Sequence, residues 1–237
     1  LFVDLVQIFP LLPPDINYIE TSFSEIGKIP VYSHDLFTNG IDYVDYSFDI
    51  PGLSEEESKY LPLFSKMITS ASLPGIPYDE VARILTLNTG GFGSFLESSI
   101  VHPDRKKIRD SIFFRLKFLE ADYKTALDLI LRMFLESEIS EEKRLKDVLA
   151  EMRNDYTASV IPSGNAFATL RAGSRLSETL RREEQWRGIS QLLFLNELNE
   201  NIDSGHLKKI GTILEAIRDK VLRNQMLSIN ITASGSE

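Results

Sequence analysis

Residues 41–50 read IDYVDYSFDI, and the pattern of this stretch decides the fold class. From Val44 to Ile50, apolar side chains alternate with aspartate and serine. Because successive side chains of a β-strand point to opposite faces, the alternation predicts a strand with one buried face. Asn39-Gly40 provides the turn that leads into this strand, and Pro51-Gly52 ends it.

Outward from this strand, helical blocks alternate with further strands. The clearest of these strands covers residues 108–120, where Ile112 to Phe118 repeat the alternation. The first helical block opens with Ser54 and Glu57, which have the spacing of a capping box. The other predicted elements are strands at 92–101 and 226–231, a turn at 102–105, and helices at 54–68, 78–88, 126–134, 145–152 (after an N-cap at Ser140), 192–198 and 207–221.

This order of elements predicts an α+β fold in which an antiparallel β-sheet carries α-helices on one face. Four prolines at 10, 13, 14 and 30 predict an extended lead-in over residues 1–30, which packs on a neighbouring domain. Residues 31–237 are predicted to form a single domain, because the chain length is at the upper end of what one domain holds.

Composition excludes several classes of function. The chain has 237 residues, a formal net charge of −9 and no cysteine. Phosphate binding needs a basic face, so the acidic balance argues against nucleic acid as a partner. The charge serves either solubility or the attraction of basic peptides. No apolar stretch approaches the roughly 20 residues of a membrane span, so no membrane partner is expected. Because the chain begins at Leu1 without a signal peptide, we expect a segment of a longer polypeptide.

The sequence offers no pattern for catalysis or metal binding. His34, His102 and His206 lie far apart, and none begins an H-E-x-x-H or H-x-x-E-H motif. Residues 90–93 lack the Lys-Ser/Thr of a phosphate-binding loop and instead predict the end of a helix. We therefore predict no catalytic residue and no metal ligand in this chain.

A segment rich in small residues, 161–175, has two interpretations. It carries Arg171 and Arg175, and two more arginines follow at 181 and 182. The segment forms either a closely packed helix with its surface loop, or a surface that lines a substrate chamber or contacts a partner domain.

Several motifs occur in a fixed order along the chain. They are HDLFTNGIDY at 34–43, the strand end at 48–49, YLPLF at 60–64, TGG at 89–91, SGNAFATLRA at 163–172 and GISQ at 188–191. In this order they resemble the presequence protease and falcilysin branch of the insulysin–pitrilysin superfamily of zinc metallopeptidases. The resemblance covers nearly the whole chain.

The resemblance implies a place in the third, non-catalytic domain of such a peptidase. Zinc is expected in the parent's first domain, on an H-x-x-E-H motif that this chain lacks, so no cofactor is expected here. The implied partners are the other domains of the same polypeptide and the peptides enclosed in its chamber. Candidate residues of the chamber wall are Phe92, Ser94, Phe95, Arg171 and Arg175.

Two other functions remain open from the sequence. The parent is either the expected peptidase or a metal-free pseudo-peptidase that serves as a scaffold, and the parent's H-x-x-E-H motif would discriminate between them. An unrelated α+β binding module is the third possibility. We expect an intracellular location, such as the bacterial cytoplasm or the mitochondrial matrix, since the absence of cysteine fits a reducing compartment.

Overall fold

The computed structural model describes residues 19–50, 52–101, 104, 106–200, 202–222 and 226–235. A β-sheet and a layer of helices make up this part of the chain. The strands are β1 (Ser22–Ile26), β2 (Ile29–Asp35), β3 (Ile41–Asp49), β4 (Gly91–Ile100), β5 (Ile108–Leu119) and β6 (Leu227–Ala233). The helices are α1 (Glu55–Lys59), α2 (Leu61–Ser70), α3 (Tyr78–Asn88), α4 (Tyr123–Glu136), α5 (Glu142–Val160), α6 (Gly164–Gly173), α7 (Glu178–Arg187), α8 (Ile189–Glu200) and α9 (Ser204–Val221).

The six described strands form one sheet in the order β1-β2-β6-β3-β5-β4. The predicted α+β class is confirmed. One pair among these strands departs from the predicted antiparallel arrangement, because β2 and β6 run parallel, with Val31 opposite Ile229. The last strand therefore lies between β2 and β3, so the beginning and the end of the described chain meet inside the sheet.

The core lies on the face of the sheet that the alternation predicts. Val44, Phe48 and Phe114 are at most 5% exposed, and helix residues cover them. Phe134 of α4 is the centre of an aromatic cluster, with ring centroids 5.0 to 6.0 Å from four strand rings, those of Tyr46, Phe48, Phe92 and Phe114. The strand periodicity thus directs one row of large side chains into the helical layer.

Two helix starts differ in how well the sequence predicts them. The capping box is present: Ser54 accepts from the Glu57 N–H, and the Glu57 carboxylate accepts from the Ser54 N–H. The predicted N-cap at Ser140 is wrong, because α5 has Glu141 at that position. The Ser140 hydroxyl instead donates to the Glu215 carboxylate of α9, at 3.2 Å.

Part of the predicted lead-in belongs to the sheet. Residues 22–26 form β1, and β2 begins at Ile29, so a domain boundary at residue 30 falls inside a strand. Residues 1–18 lie outside the described residues, as do residues 102, 103 and 105 of the predicted turn. Strands β4 and β5 on either side of that turn pair antiparallel.

Candidate functional site

The five predicted site residues lie in different places. Phe92 faces the helices, packs against the core and stacks on Phe114, with ring centroids 6.0 Å apart. Ser94 follows it on the same side of β4 because residues two apart share a face. Phe95 points to the opposite face and is 39% exposed. Arg171 and Arg175 line a cleft that shares no residue with the surface around Phe95.

The surface around Phe95 is the face of the sheet away from the helices, which we call the open face. Alternate residues of four neighbouring strands form it: Tyr43 and Asp45 of β3, Gly91, Gly93 and Phe95 of β4, Phe113, Arg115 and Lys117 of β5, and Asn230 and Thr232 of β6. The strand register places Asp45 opposite both Arg115 and Asn230. The open face is therefore polar and aromatic, whereas the other face is the core.

An aromatic pair and a held cation stand at the centre of the open face. The Phe95 and Phe113 rings stack with an interplanar angle of 3° and centroids 4.8 Å apart. The Arg115 guanidinium carbon lies 5.3 Å from the centroid of the Phe95 ring. Rings and guanidinium groups arranged in this way provide a flat surface that accepts apolar and polar groups alike.

Asp45 fixes the position and the charge of Arg115. Its two carboxylate oxygens accept from Nε at 2.7 Å and from Nη2 at 2.8 Å. This hydrogen bonding raises the pKa of the Arg115 guanidinium above its ordinary value, although partial burial acts in the opposite direction. A bidentate pair is geometrically specific, so the cation keeps one orientation over the ring.

A groove of about 700 Å³ runs along the open face at the start of β4. Its floor includes Gly91 and Gly93, which have no side chains to fill it. The stem of Lys117 lies close to this glycine run, because a Cβ atom on Gly90 would come within 3.1 Å of the Lys117 Cγ. The TGG motif thus ends α3 and leaves the beginning of the strand uncovered.

The cleft that contains Arg171 and Arg175 measures about 570 Å³ and lies among α1, α6, α7 and α8. Arg171 donates to the Glu184 carboxylate at 3.3 Å, and the Ser190 N–H donates to the same oxygen at 3.1 Å. Glu184 is 4% exposed, so these two donors compensate a buried charge. This arrangement joins α6, α7 and the start of α8, whereas the Arg175 side chain contributes only to the lining of the cleft.

Four residues of the open face were not among the predicted site residues: Asp45, Phe113, Arg115 and Lys117. The signal for them was present, since the alternation of β5 places Arg115 and Lys117 on its polar side. The pairing of β3 with β5 was needed as well, because it brings Asp45 to Arg115 across 70 residues of sequence.

No group of three or more His, Asp or Glu side chains within the described residues could hold a metal ion. His34 is hydrogen-bonded to Asn230 Oδ1 at 2.7 Å, and His206 lies in the first turn of α9. His102 lies outside the described residues. None of the helices in the described ranges is long and apolar enough to cross a membrane.

Comparison with known proteins places the chain in a family. The model of the family associated with peptidase M16, subfamily C, matches residues 11–198. The chain belongs to this peptidase-associated family. Membership confirms the predicted superfamily and excludes an unrelated binding module.

The relatives of this peptidase-associated chain include presequence proteases. The sequence is 27% identical to presequence protease 1, chloroplastic/mitochondrial, from Arabidopsis thaliana, over 94% of this chain and 21% of the relative. It is 26% identical to the mitochondrial presequence protease from Xenopus laevis, over 94% of this chain and 21% of the relative. The chain therefore spans about a fifth of the length of these curated relatives.

A solved structure supports the fold. The peptidase M16 inactive domain from Pseudomonas fluorescens superposes with a TM-score of 0.57 at 14% sequence identity. The match covers 92% of this chain and 47% of that one. The predicted non-catalytic segment of a presequence-protease-like M16 peptidase is confirmed at the level of family and fold.

Proposed function

We propose that this peptidase-associated domain is a non-catalytic wall of the chamber in which a presequence-protease-like zinc metallopeptidase encloses and degrades oligopeptides. The open face of the sheet is the surface turned to the peptide. One observation carries the proposal: the core occupies one face of the sheet, while the other face is an exposed polar and aromatic surface with a groove of about 700 Å³.

The wall acts by shape and by weak, general contacts. The stacked rings of Phe95 and Phe113 offer apolar surface, and Arg115 beside them stays charged because of Asp45. Such a surface favours no single side chain, which suits an enzyme that degrades many peptide sequences. Phe92 and Ser94 belong to the wall through their backbone, because their side chains face the helices.

Arg171 and Arg175 have a different place in this proposal. Their cleft is formed by helices, and Arg171 is engaged by the buried Glu184. We assign this surface to a contact with another domain of the same polypeptide, in which Arg175 meets a complementary acidic group.

Zinc and the catalytic groups belong to other domains of the proposed parent peptidase. The two presequence proteases compared above are named as mitochondrial or chloroplastic proteins, so an organelle interior or another intracellular compartment is the proposed location.

The proposal is tested by photocrosslinking in the full-length polypeptide. Benzoylphenylalanine replaces Phe95 on the open face or, as a control, Leu131, which is 55% exposed on α4 in the helical layer. A fluorescent peptide is then added under chelation. We expect crosslinks from position 95 and none from position 131. Equal labelling at both positions, or none at position 95, contradicts the proposed wall.

The pseudo-peptidase scaffold is the competing function, and the fold does not separate the two. The test is the parent's zinc motif and its activity. An intact H-x-x-E-H with chelator-sensitive peptide cleavage supports the peptidase, whereas loss of the motif with no cleavage supports the scaffold.

A further inference from the structure

Strand β4 is an outer strand of the sheet, and the direction of its backbone groups can be worked out. In an antiparallel pair, alternate residues point their N–H and C=O groups at the partner, and the residues between them point outward. The Val101 N–H donates to the Lys107 carbonyl at 2.9 Å, in line with the register of β4 and β5. The odd-numbered residues of β4 therefore face β5, and the even-numbered residues face outward.

The outward side of β4 is closed at one end. The Ser98 N–H donates to the Glu183 carboxylate of α7 at 3.2 Å, which confirms that an even-numbered residue points outward. Glu183 is only 7% exposed and is paired with Arg187. Helix α7 therefore covers the edge at Ser98.

The edge remains open from Phe92 to Leu96. Within the described residues, no hydrogen bond is made to the outward backbone groups of Phe92, Ser94 and Leu96, which we call the free edge. Proteins usually protect such edges with proline, lysine, a bulge or a covering element. The sequence FGSFL at 92–96 contains neither proline nor lysine.

The side chains next to the free edge leave room for another strand. Gly91 and Gly93 alternate along the open-face side, and no atom lies within 4 Å of a Cβ placed on Gly93. The groove of about 700 Å³ begins at the same residues. An added strand would therefore place every second side chain in the groove, beside Phe95.

We propose that an extended oligopeptide adds to β4 at the free edge as a further antiparallel or parallel strand of the sheet. The inference rests on the proposed chamber wall and specifies how the wall holds a peptide. Three outward N–H and three outward C=O groups span about five peptide residues at roughly 3.3 Å per residue. Recognition is through the backbone, so it is independent of peptide sequence.

The experiment uses the full-length polypeptide under chelation and a fluorescent ten-residue probe of alternating valine and serine. Ser94→Pro removes one outward N–H, and proline is tolerated on an edge strand where that N–H faces solvent. Ser94→Ala, the matched control, keeps the N–H. By fluorescence anisotropy we expect Ser94→Pro to weaken probe binding about fivefold or more, as loss of a hydrogen bond predicts, and Ser94→Ala to bind as the unchanged protein does.

Two measurements do not depend on a substitution. A probe N-methylated at every second residue keeps one intact edge and is expected to bind, whereas a probe N-methylated at every residue is expected not to bind. Amide hydrogen exchange should show new protection at Phe92, Ser94 and Leu96. Equal binding by Ser94→Pro and Ser94→Ala, or protection confined to other strands, overturns strand addition. Crosslinking from position 95 in that case leaves the chamber wall standing, so the two proposals fail separately.

Discussion

Gly188 lies between α7 and α8, where a Cβ atom would stand 2.6 Å from the Glu184 carbonyl oxygen and 2.8 Å from its Cγ. Both α8 and the buried Glu184 are positioned by this close approach, since the Ser190 N–H donates to the same glutamate. Only glycine fits here because the obstructing atom is backbone and not the end of a flexible side chain.

We predict that Gly188→Ala lowers the free energy of unfolding by about 1–3 kcal/mol, the usual cost of overpacking. Gly164→Ala is the matched control, because no atom lies within 4 Å of a Cβ placed there. That control is expected to change stability by less than about 1 kcal/mol. Urea denaturation followed by circular dichroism measures both. Equal stability of the two variants would show that the α7–α8 junction relaxes freely.

At the scale of elements, the capping box of α1 is joined to a distant helix. Lys220 of α9 donates to the Glu57 carboxylate at 2.5 Å, and the Ser54 N–H donates to its other oxygen at 2.9 Å. The hydrogen bond from Lys220, followed by that from the Ser54 backbone, lowers the pKa of Glu57 below its ordinary value of 4.5. The ionised carboxylate therefore stabilises the fold.

The sign of the pH dependence follows from this lowered pKa. The stabilisation is complete above pH 4.5 and is lost as the pH falls through the lower folded-state value. We predict that Glu57→Gln costs about 1 kcal/mol at pH 7 and that its difference from the unchanged protein narrows below pH 4.5. Urea titrations at pH 7 and pH 3.5 test this. Glu56→Gln removes the same charge from an exposed site and should show no comparable narrowing.

Local chemistry explains which elements the sequence could predict. Helix α3 and strand β3 match their predicted bounds within one residue, because a turn or glycine marks their ends. Ser140 was assigned as a cap by residue type alone, but its hydroxyl is used by α9, which a local pattern does not reveal. The extra break between α1 and α2 has a local cause, since Pro62 occupies the first turn of α2.

Long-range pairing explains what the sequence could not predict. The parallel neighbours β2 and β6 join residues almost 200 positions apart, and nothing in either strand specifies the partner. The candidate site has the same origin. Phe95 could be named from its motif, but its surroundings depend on β3, β5 and β6 lying side by side.

At the scale of the whole molecule, the β1–β2 end carries exposed apolar side chains. Phe23 is 60% exposed, Ile26 is 66% exposed and Phe37 is 88% exposed. Apolar residues clustered in this way mark an interaction surface. Because the chain spans about a fifth of its curated relatives, we expect a neighbouring domain to cover this surface in the full-length polypeptide.

We predict that the isolated chain self-associates through the β1–β2 end, with an apparent mass that rises with concentration in light scattering. The double substitution Phe23→Ser and Phe37→Ser should lower the association constant about tenfold or more, because it removes two exposed aromatic side chains. Leu131→Ser, at an exposed position of α4, is the control and should leave association unchanged. A strictly monomeric chain at all concentrations contradicts this surface.

The place of β6 between β2 and β3 has a consequence for biosynthesis. His34 and Asn230, which are hydrogen-bonded across β2 and β6, lie 196 residues apart. While the ribosome is still making the chain, β3, β4 and β5 can already pair, but the β1–β2 hairpin has no neighbour until residues 227–233 emerge. Contacts this distant form slowly because a long loop must close first. The hairpin, although made first, is therefore expected to join the sheet last, and until then its apolar side chains are accessible to chaperones.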